Sequence, residues 1–245
     1  MKRISGRIRL ALFLRSFAVQ GSWNYQTLIG TGFAFVLIPV LRVLYEEDRE
    51  AMRSALRRHV EVFNSHPYLA TLAVGAVARL ECEGAQEALI RRFKNALRGS
   101  LGSLGDRLVW AAWRPMSALL AIVVLLFGAP WWVGLIVFLV VYNALHLGLR
   151  SWGLRTGLRE GLDIGNALRS PAISRWAHWA SNTGALLAGL ASVLAVSVFA
   201  TGPTESGITA LGILAGVALG YRVRSGIWVL LALVWIGGIV ARMVV

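Results

Sequence analysis

The sequence predicts an all-α integral membrane protein, with amphipathic and re-entrant helices in its N-terminal half and transmembrane helices in its C-terminal half. Three observations predict it. Hydrophobic residues make up 57% of the chain and charged residues 15%, against about 45–50% and about 25% in ordinary soluble domains. The longest apolar runs lie beyond residue 116 and are bounded by arginines. The polar stretches before them repeat their apolar residues at helical spacing. Residues 1–245 then form one membrane unit. Its first part, 1–115, carries the polar motifs, and its second, 116–245, is a hydrophobic hairpin followed by about three transmembrane helices.

Taken in order, MKRISGRIRLALFLRSF reads as a basic amphipathic helix on the cytoplasmic surface, with Ile4, Ile8, Ala11 and Leu12 on one side. Its apolar run is broken by Arg15 and is too short for the core of a secretory leader. TLIGTGFAFVLIPVL, 27–41, is apolar but shorter than the roughly 20 residues a span needs. It also holds Gly30, Gly32 and Pro39, so it reads as re-entrant or half-buried. Residues 47–63 carry Met52, Leu56, Val60 and Phe63 on one helical face, and Pro67 stops that helix at NSHP. YLATLAVGAVARLE is a further apolar helix, closed by Gly84. Residues 85–98 are amphipathic again. From 116 to 149 the chain is apolar throughout, with GAPWW in the middle and arginines at both ends. Cytoplasmic loops collect Lys and Arg, so this reads as a hairpin dipping into the membrane from the inside. Residues 182–200 form a span, TGPTES an outside turn, 207–221 a returning span, and 226–245 the last one, with Arg222 and Arg224 inside.

Composition also excludes classes of function. One cysteine, Cys82, leaves no internal disulfide and no cysteine-based metal cluster. The net charge of +13 fits a nucleic-acid binder in magnitude, but the arginines are dispersed between apolar runs. Such charges are drawn to an anionic leaflet by about 1 kcal/mol each, so lipid headgroups are the expected partner and nucleic acid is not.

Chemistry is sparse. LRGSLGSLGDRLVW, 97–110, puts glycines at 99, 102 and 105 ahead of Asp106. A phosphate loop needs Lys where Asp106 stands, and a dinucleotide loop needs another spacing. The stretch reads either as a flexible turn before the hairpin or as irregular backbone beside a polar pathway. In the second case Asp106 is a functional residue, since a carboxylate beside a membrane segment is costly unless paired or wetted. Two further polar clusters, SWNYQ at 22–26 and FNSHP at 63–67, are open to the same two readings. Asn24 and Asn64 cap helices, or they join an aromatic ring and a carboxylate in holding sugar hydroxyls. His59, His66, His146 and His178 are scattered, with no metal-ligand spacing, and no nucleophile–base pair or cofactor motif is present.

The three clusters in this order resemble the IID subunit of the mannose/fructose/sorbose-type sugar phosphotransferase system. The resemblance rests on SWNYQTLIGTGFAFVLIPVLRVLY, RRHVEVFNSHPYLATLAVGAVARLE and LRGSLGSLGDRLVWAAWRPMSALLA. Gln26 stands where the family usually has Glu, Ser100 where it has Pro, and Arg107 follows Asp106 where Pro is common. The resemblance implies a non-catalytic subunit that pairs with a IIC subunit in a hetero-oligomer of the bacterial inner membrane, N-terminus inside. The sugar, a hexose, would receive its phosphate from the cytoplasmic IIA and IIB subunits. Asn24, Tyr25, Gln26, Asn64, His66 and Asp106 would then converge on the substrate near IIC. Gln26 and the altered glycine motif leave a second reading open, a membrane interaction or regulatory protein that keeps the fold without transport.

Overall fold

The structure, a computed structural model, describes residues 4–169 and 171–199, together with 202 and 207. The two spans expected at 207–221 and 226–245 therefore lie outside the described residues. Among those described, every regular element is a helix, and only isolated bridges at Leu28 interrupt the pattern. Helix α1 is Gly6–Ser16, α2 Gly30–Leu44, α3 Arg49–Val60, α4 Ala70–Cys82 and α5 Glu87–Gly105. A π-helical segment, Asp106–Trp113, joins α5 to α6, Arg114–Leu126. Then come α7, Trp131–Glu160, a single 3₁₀ turn, α8, Ile164–Arg169, and α9, Pro171–Phe199.

The chain divides into two compact units. One runs to Arg114 and takes in Val140–Ala180. Its core is built on α2, whose Phe33, Val36, Leu37, Val40 and Leu41 are buried. Pro39 sits inside α2 and has no N–H for the carbonyl of Phe35. Arg15 supplies the missing donor, its guanidinium giving a 3.1 Å hydrogen bond to that carbonyl and lying over the Phe35 ring. Helix α3 starts on Asp48, whose carboxylate accepts the Ala51 N–H at 2.8 Å. Helix α4 ends as expected at Gly84, which has φ +69°. The Ala85 N–H then reaches back to the Leu80 carbonyl.

Helix α4 is almost wholly buried, and α7 crosses it on small residues. A Cβ at Gly75 would meet the backbone of Leu154 and Leu158, and one at Gly157 the backbone of Leu72 and Ala76. This is the close approach that small residues permit between apolar helices.

The second unit contains Pro115–Leu139 and, of the residues described after it, 181–199 together with 202 and 207. GAPWW makes the expected hairpin tip. Gly128 takes φ +88°, and its N–H and that of Ala129 close the end of α6. Gly134 on α7 lies against the Leu125 side chain, so the two arms pack directly.

The glycine-rich stretch departs from the expected turn. It is the last part of α5, and the helix runs on unbroken from Glu87 to Leu126. Glycine costs about 1 kcal/mol per helical position. Here Leu97, Leu101 and Leu108 are buried at helical spacing, each worth about 1.5–3 kcal/mol, so burial wins. The first arm of the hairpin is correspondingly longer than the apolar run alone. Among the described residues, three helices are long and apolar enough to cross a membrane: Glu87–Leu126, Trp131–Arg169 and Ala172–Val198.

Candidate functional site

The three motifs fold onto one another within the first unit. SWNYQTL forms a tight loop held by Asn24. Its carboxamide oxygen accepts the N–H groups of Gln26 and Thr27, both at 2.9 Å, and its Nδ2 donates to the Thr27 hydroxyl. The loop closes with Leu28 in the left-handed region, at φ 55°. It is tied to the second motif, the Ile29 N–H donating to the Phe63 carbonyl and the Phe63 N–H to that of Thr27. Three residues on, the second motif meets the third. His66 is buried against Gly105, where any Cβ would collide with the imidazole, and Trp110 covers the ring at 5.4 Å.

The six residues expected to form the site fall into two groups. Asn24 has its side chain occupied inside its loop, and His66 is only 2% exposed. Tyr25, Gln26, Asn64 and Asp106 are exposed, and none makes a side-chain hydrogen bond or ion pair among the described residues. Tyr25 is 89% exposed and stacks edge-on with Trp23 at 4.8 Å.

The imidazole of His66 is distinctive. Its Nδ1 accepts the N–H of Tyr68 at 3.2 Å, so the proton of the neutral ring sits on Nε2, where it has no partner. Burial, with the Arg150 charge nearby, lowers its pKa to about 4. Tyr68 joins it to a polar face of α7. The two hydroxyls of Tyr68 and Tyr142 are 2.6 Å apart, and the Tyr68 ring stacks on His146 at 4.0 Å. Arg150 donates to His146 Nε2 and to the carbonyl of Ser16, where it also meets the negative end of α1. This face was legible as Tyr142, Asn143, His146 and Arg150, spaced over two turns of an otherwise apolar helix; treating His146 as scattered missed it.

A second cluster also escaped the sequence reading. Glu81, in apolar α4, is 4% exposed and accepts from Arg58 at 2.7 and 2.8 Å, from His59 Nε2 at 2.8 Å and from the Tyr45 hydroxyl at 2.8 Å. Burial alone would raise its pKa, but those hydrogen bonds and the Arg58 charge hold it at about 2. Burial lowers His59 to about 4, so the ring is neutral and donates. Lys94 closes the cluster through the carbonyls of Arg58 and His59 and lies over the Phe33 ring. The signal was a lone carboxylate on an apolar helix.

A family model for the mannose/fructose/sorbose family IID component of the sugar phosphotransferase system matches residues 3–209. The chain belongs to this family. It is 33% identical over 73% of its length to the mannose-specific EIID component of Escherichia coli K12, and spans 64% of that relative. It is 30% identical over 77% of its length to the sorbose-specific EIID component of Klebsiella pneumoniae and to the fructose permease IID component of Bacillus subtilis 168. In structure it is similar to a chain of the mannose transporter ManYZ determined by cryo-electron microscopy with microcin E492. The TM-score is 0.62 at 30% identity, covering 78% of this chain and 71% of that one.

As a IID component, the chain is a membrane protein of a sugar phosphotransferase permease family. Its folded motifs carry the Tyr25 hydroxyl, the Gln26 and Asn64 carboxamides and the Asp106 carboxylate on exposed residues, the last of them on a helix. Such groups bind uncharged polyols through paired donors and acceptors.

Proposed function

We propose that this chain is the IID subunit of a mannose-type sugar permease, pairing with a IIC subunit to translocate a hexose that IIA and IIB phosphorylate during uptake. The observation that carries this reading is the joining of its three motifs. The SWNYQ loop is hydrogen-bonded to the FNSHP segment, and His66 of that segment is seated on Gly105, next to Asp106. Asn24, Tyr25, Gln26, Asn64, His66 and Asp106 form the substrate region. Tyr25, Gln26, Asn64 and Asp106 present polar groups, while Asn24 and His66 hold the loops in register. The subunit is not itself catalytic, and phosphate passes through its partners. It lies in the inner membrane with the N-terminus in the cytoplasm, as the arginines flanking the hairpin favour. Anionic headgroups there attract its +13 charge.

The test is uptake of labelled hexoses in cells without their own mannose-type system, supplied with IIA, IIB and IIC partners, with and without this chain. Uptake with sugar phosphorylation that depends on the chain is the expected result. A stable IIC complex that moves no sugar would favour the regulatory reading, and Gln26→Glu would be the first reversion to examine. Asp106→Ala is expected to reduce uptake at least about tenfold, the loss of one charge-assisted hydrogen bond, with IIC binding intact.

A further inference from the structure

We propose that Arg9 of α1 and Arg155 and Arg159 of α7 form a binding site for the phosphate of an acidic phospholipid. The three guanidinium-bearing side chains line one cleft of about 720 Å³ in the first unit, with Trp152 and Leu158 in its wall. Arg9 pairs with no carboxylate among the described residues. Arg155 donates only to the Ser151 carbonyl of its own helix. Arg159 is exposed and pairs with one acid, the partly buried Glu160, at 2.7 Å. Three cations around one opening repel each other, and a single nearby carboxylate leaves positive charge in excess. Guanidinium forks match phosphate oxygens two at a time, so the chemistry called for is a phosphate anion.

A second observation selects the lipid as its source. Beside Arg9, α1 leaves Leu10 and Leu14 each 58% exposed and Phe17 44% exposed, on successive turns of one face. An apolar stripe next to a basic cleft suits a ligand with both an anionic head and an acyl chain. The depth agrees. Arg155 and Arg159 follow the apolar part of the helical run Trp131–Arg169, where a membrane-spanning helix reaches headgroup level. Trp152 belongs to the residue type that settles at that interface. The inference rests on the chain being a membrane subunit and does not depend on which sugar, if any, it moves.

The test titrates the purified full chain, held with its IIC partner in detergent, with phosphatidylglycerol and cardiolipin, and reads bound lipid by native mass spectrometry. Phosphatidylcholine of the same acyl chains and inorganic phosphate are the comparison ligands. The triple variant Arg9→Gln, Arg155→Gln, Arg159→Gln is set against Arg57→Gln, Arg92→Gln, Arg98→Gln, which removes equal charge from exposed positions elsewhere. Acidic lipid is expected to bind with a dissociation constant raised on the order of a hundredfold by the cleft variant, and hardly at all by the other. Equal loss in both variants would reduce the effect to net charge and overturn the site. Displacement of lipid by inorganic phosphate at comparable concentration would overturn the lipid as occupant. If the triple variant melts early, the three single variants carry the same comparison. Because the readout is bound lipid, a failure to transport sugar leaves this result standing.

Discussion

At the scale of single residues, the first unit is held by polar groups buried beyond the reach of water. His59 and His66 are both neutral, with pKa values lowered to about 4 from 6.5. Between those values the unfolded chain binds protons that the folded chain refuses, so stability falls as pH drops through that window and is fully present above it. Glu81, lowered to about 2 from 4.5, acts in the same direction at more acid pH. The melting temperature of the detergent-solubilised protein should therefore fall as the pH drops from 6.5 towards 4. A His59→Gln, His66→Gln variant should lose most of the decline between 6.5 and 4. No change across that window in the parent protein would contradict the neutral buried rings. A second prediction concerns Glu81. Glu81→Gln leaves Arg58, 7% exposed, with only the more exposed Glu87, 3.7 Å away, as an anion, and breaking a buried pair costs about 3–5 kcal/mol. Replacing both, as Arg58→Met with Glu81→Leu, should cost less than Glu81→Gln alone, which equilibrium unfolding of the two proteins would show. None of this pairing was legible beforehand. Glu81 and His59 are 22 positions apart, and only the packing of α3 and α4 against α2 brings them together.

At the scale of elements, most helices were legible because their apolar residues repeat at helical spacing and their ends carry known signals, as at Gly84 and GAPWW. The glycine-rich stretch was misread because local propensity was weighed without its burial. Three glycines weaken a helix, yet the leucines between them line up on one buried face, and Gly105 is small so that His66 can seat against it. The π-helical segment that follows has no sequence signature of its own. It precedes Pro115, which offers no N–H to the turn before it, and it aims Trp110 at His66. Two close approaches follow from the same geometry and can be compared. Gly157→Val would push α7 off the backbone of α4, and overpacking of this kind typically costs about 1–3 kcal/mol. A Cβ at Gly105 would meet the Cβ and ring of the buried His66, so Gly105→Ala should overpack as well while displacing His66. The expected pattern is a lowered melting temperature for both variants and, at equal amounts of folded protein, impaired uptake for Gly105→Ala. Undiminished uptake by folded Gly105→Ala would remove His66 from the substrate region.

At the scale of the whole molecule, the surface divides by what must cover it. Leu135, Ile136, Leu139 and Val140 on α7 are about half exposed, as on a helix facing acyl chains. Trp23 and Tyr25 are exposed too, at 48% and 89%, but they stand on a polar loop among Asn24, Gln26 and Ser22. An aromatic pair set among hydrogen-bonding groups is the composition of a protein interface rather than of a lipid face. The pairing of this loop with Phe63 fixes it in place without burying its tip, so its order is prepared before any partner arrives. If the proposed IIC partner binds this chain, this exposed loop, which carries part of the proposed substrate region, has the composition to meet it. Because neither ring packs into the core, Trp23→Ala with Tyr25→Ala should leave melting of the isolated chain within about 0.5 kcal/mol of the parent. Interface aromatics of this kind each contribute about 2 kcal/mol or more when buried by a partner, so recovery of IIC with the chain from detergent extracts should drop at least about tenfold. Undiminished recovery, with uptake lost, would confine the pair to the proposed substrate region and take it out of the subunit interface.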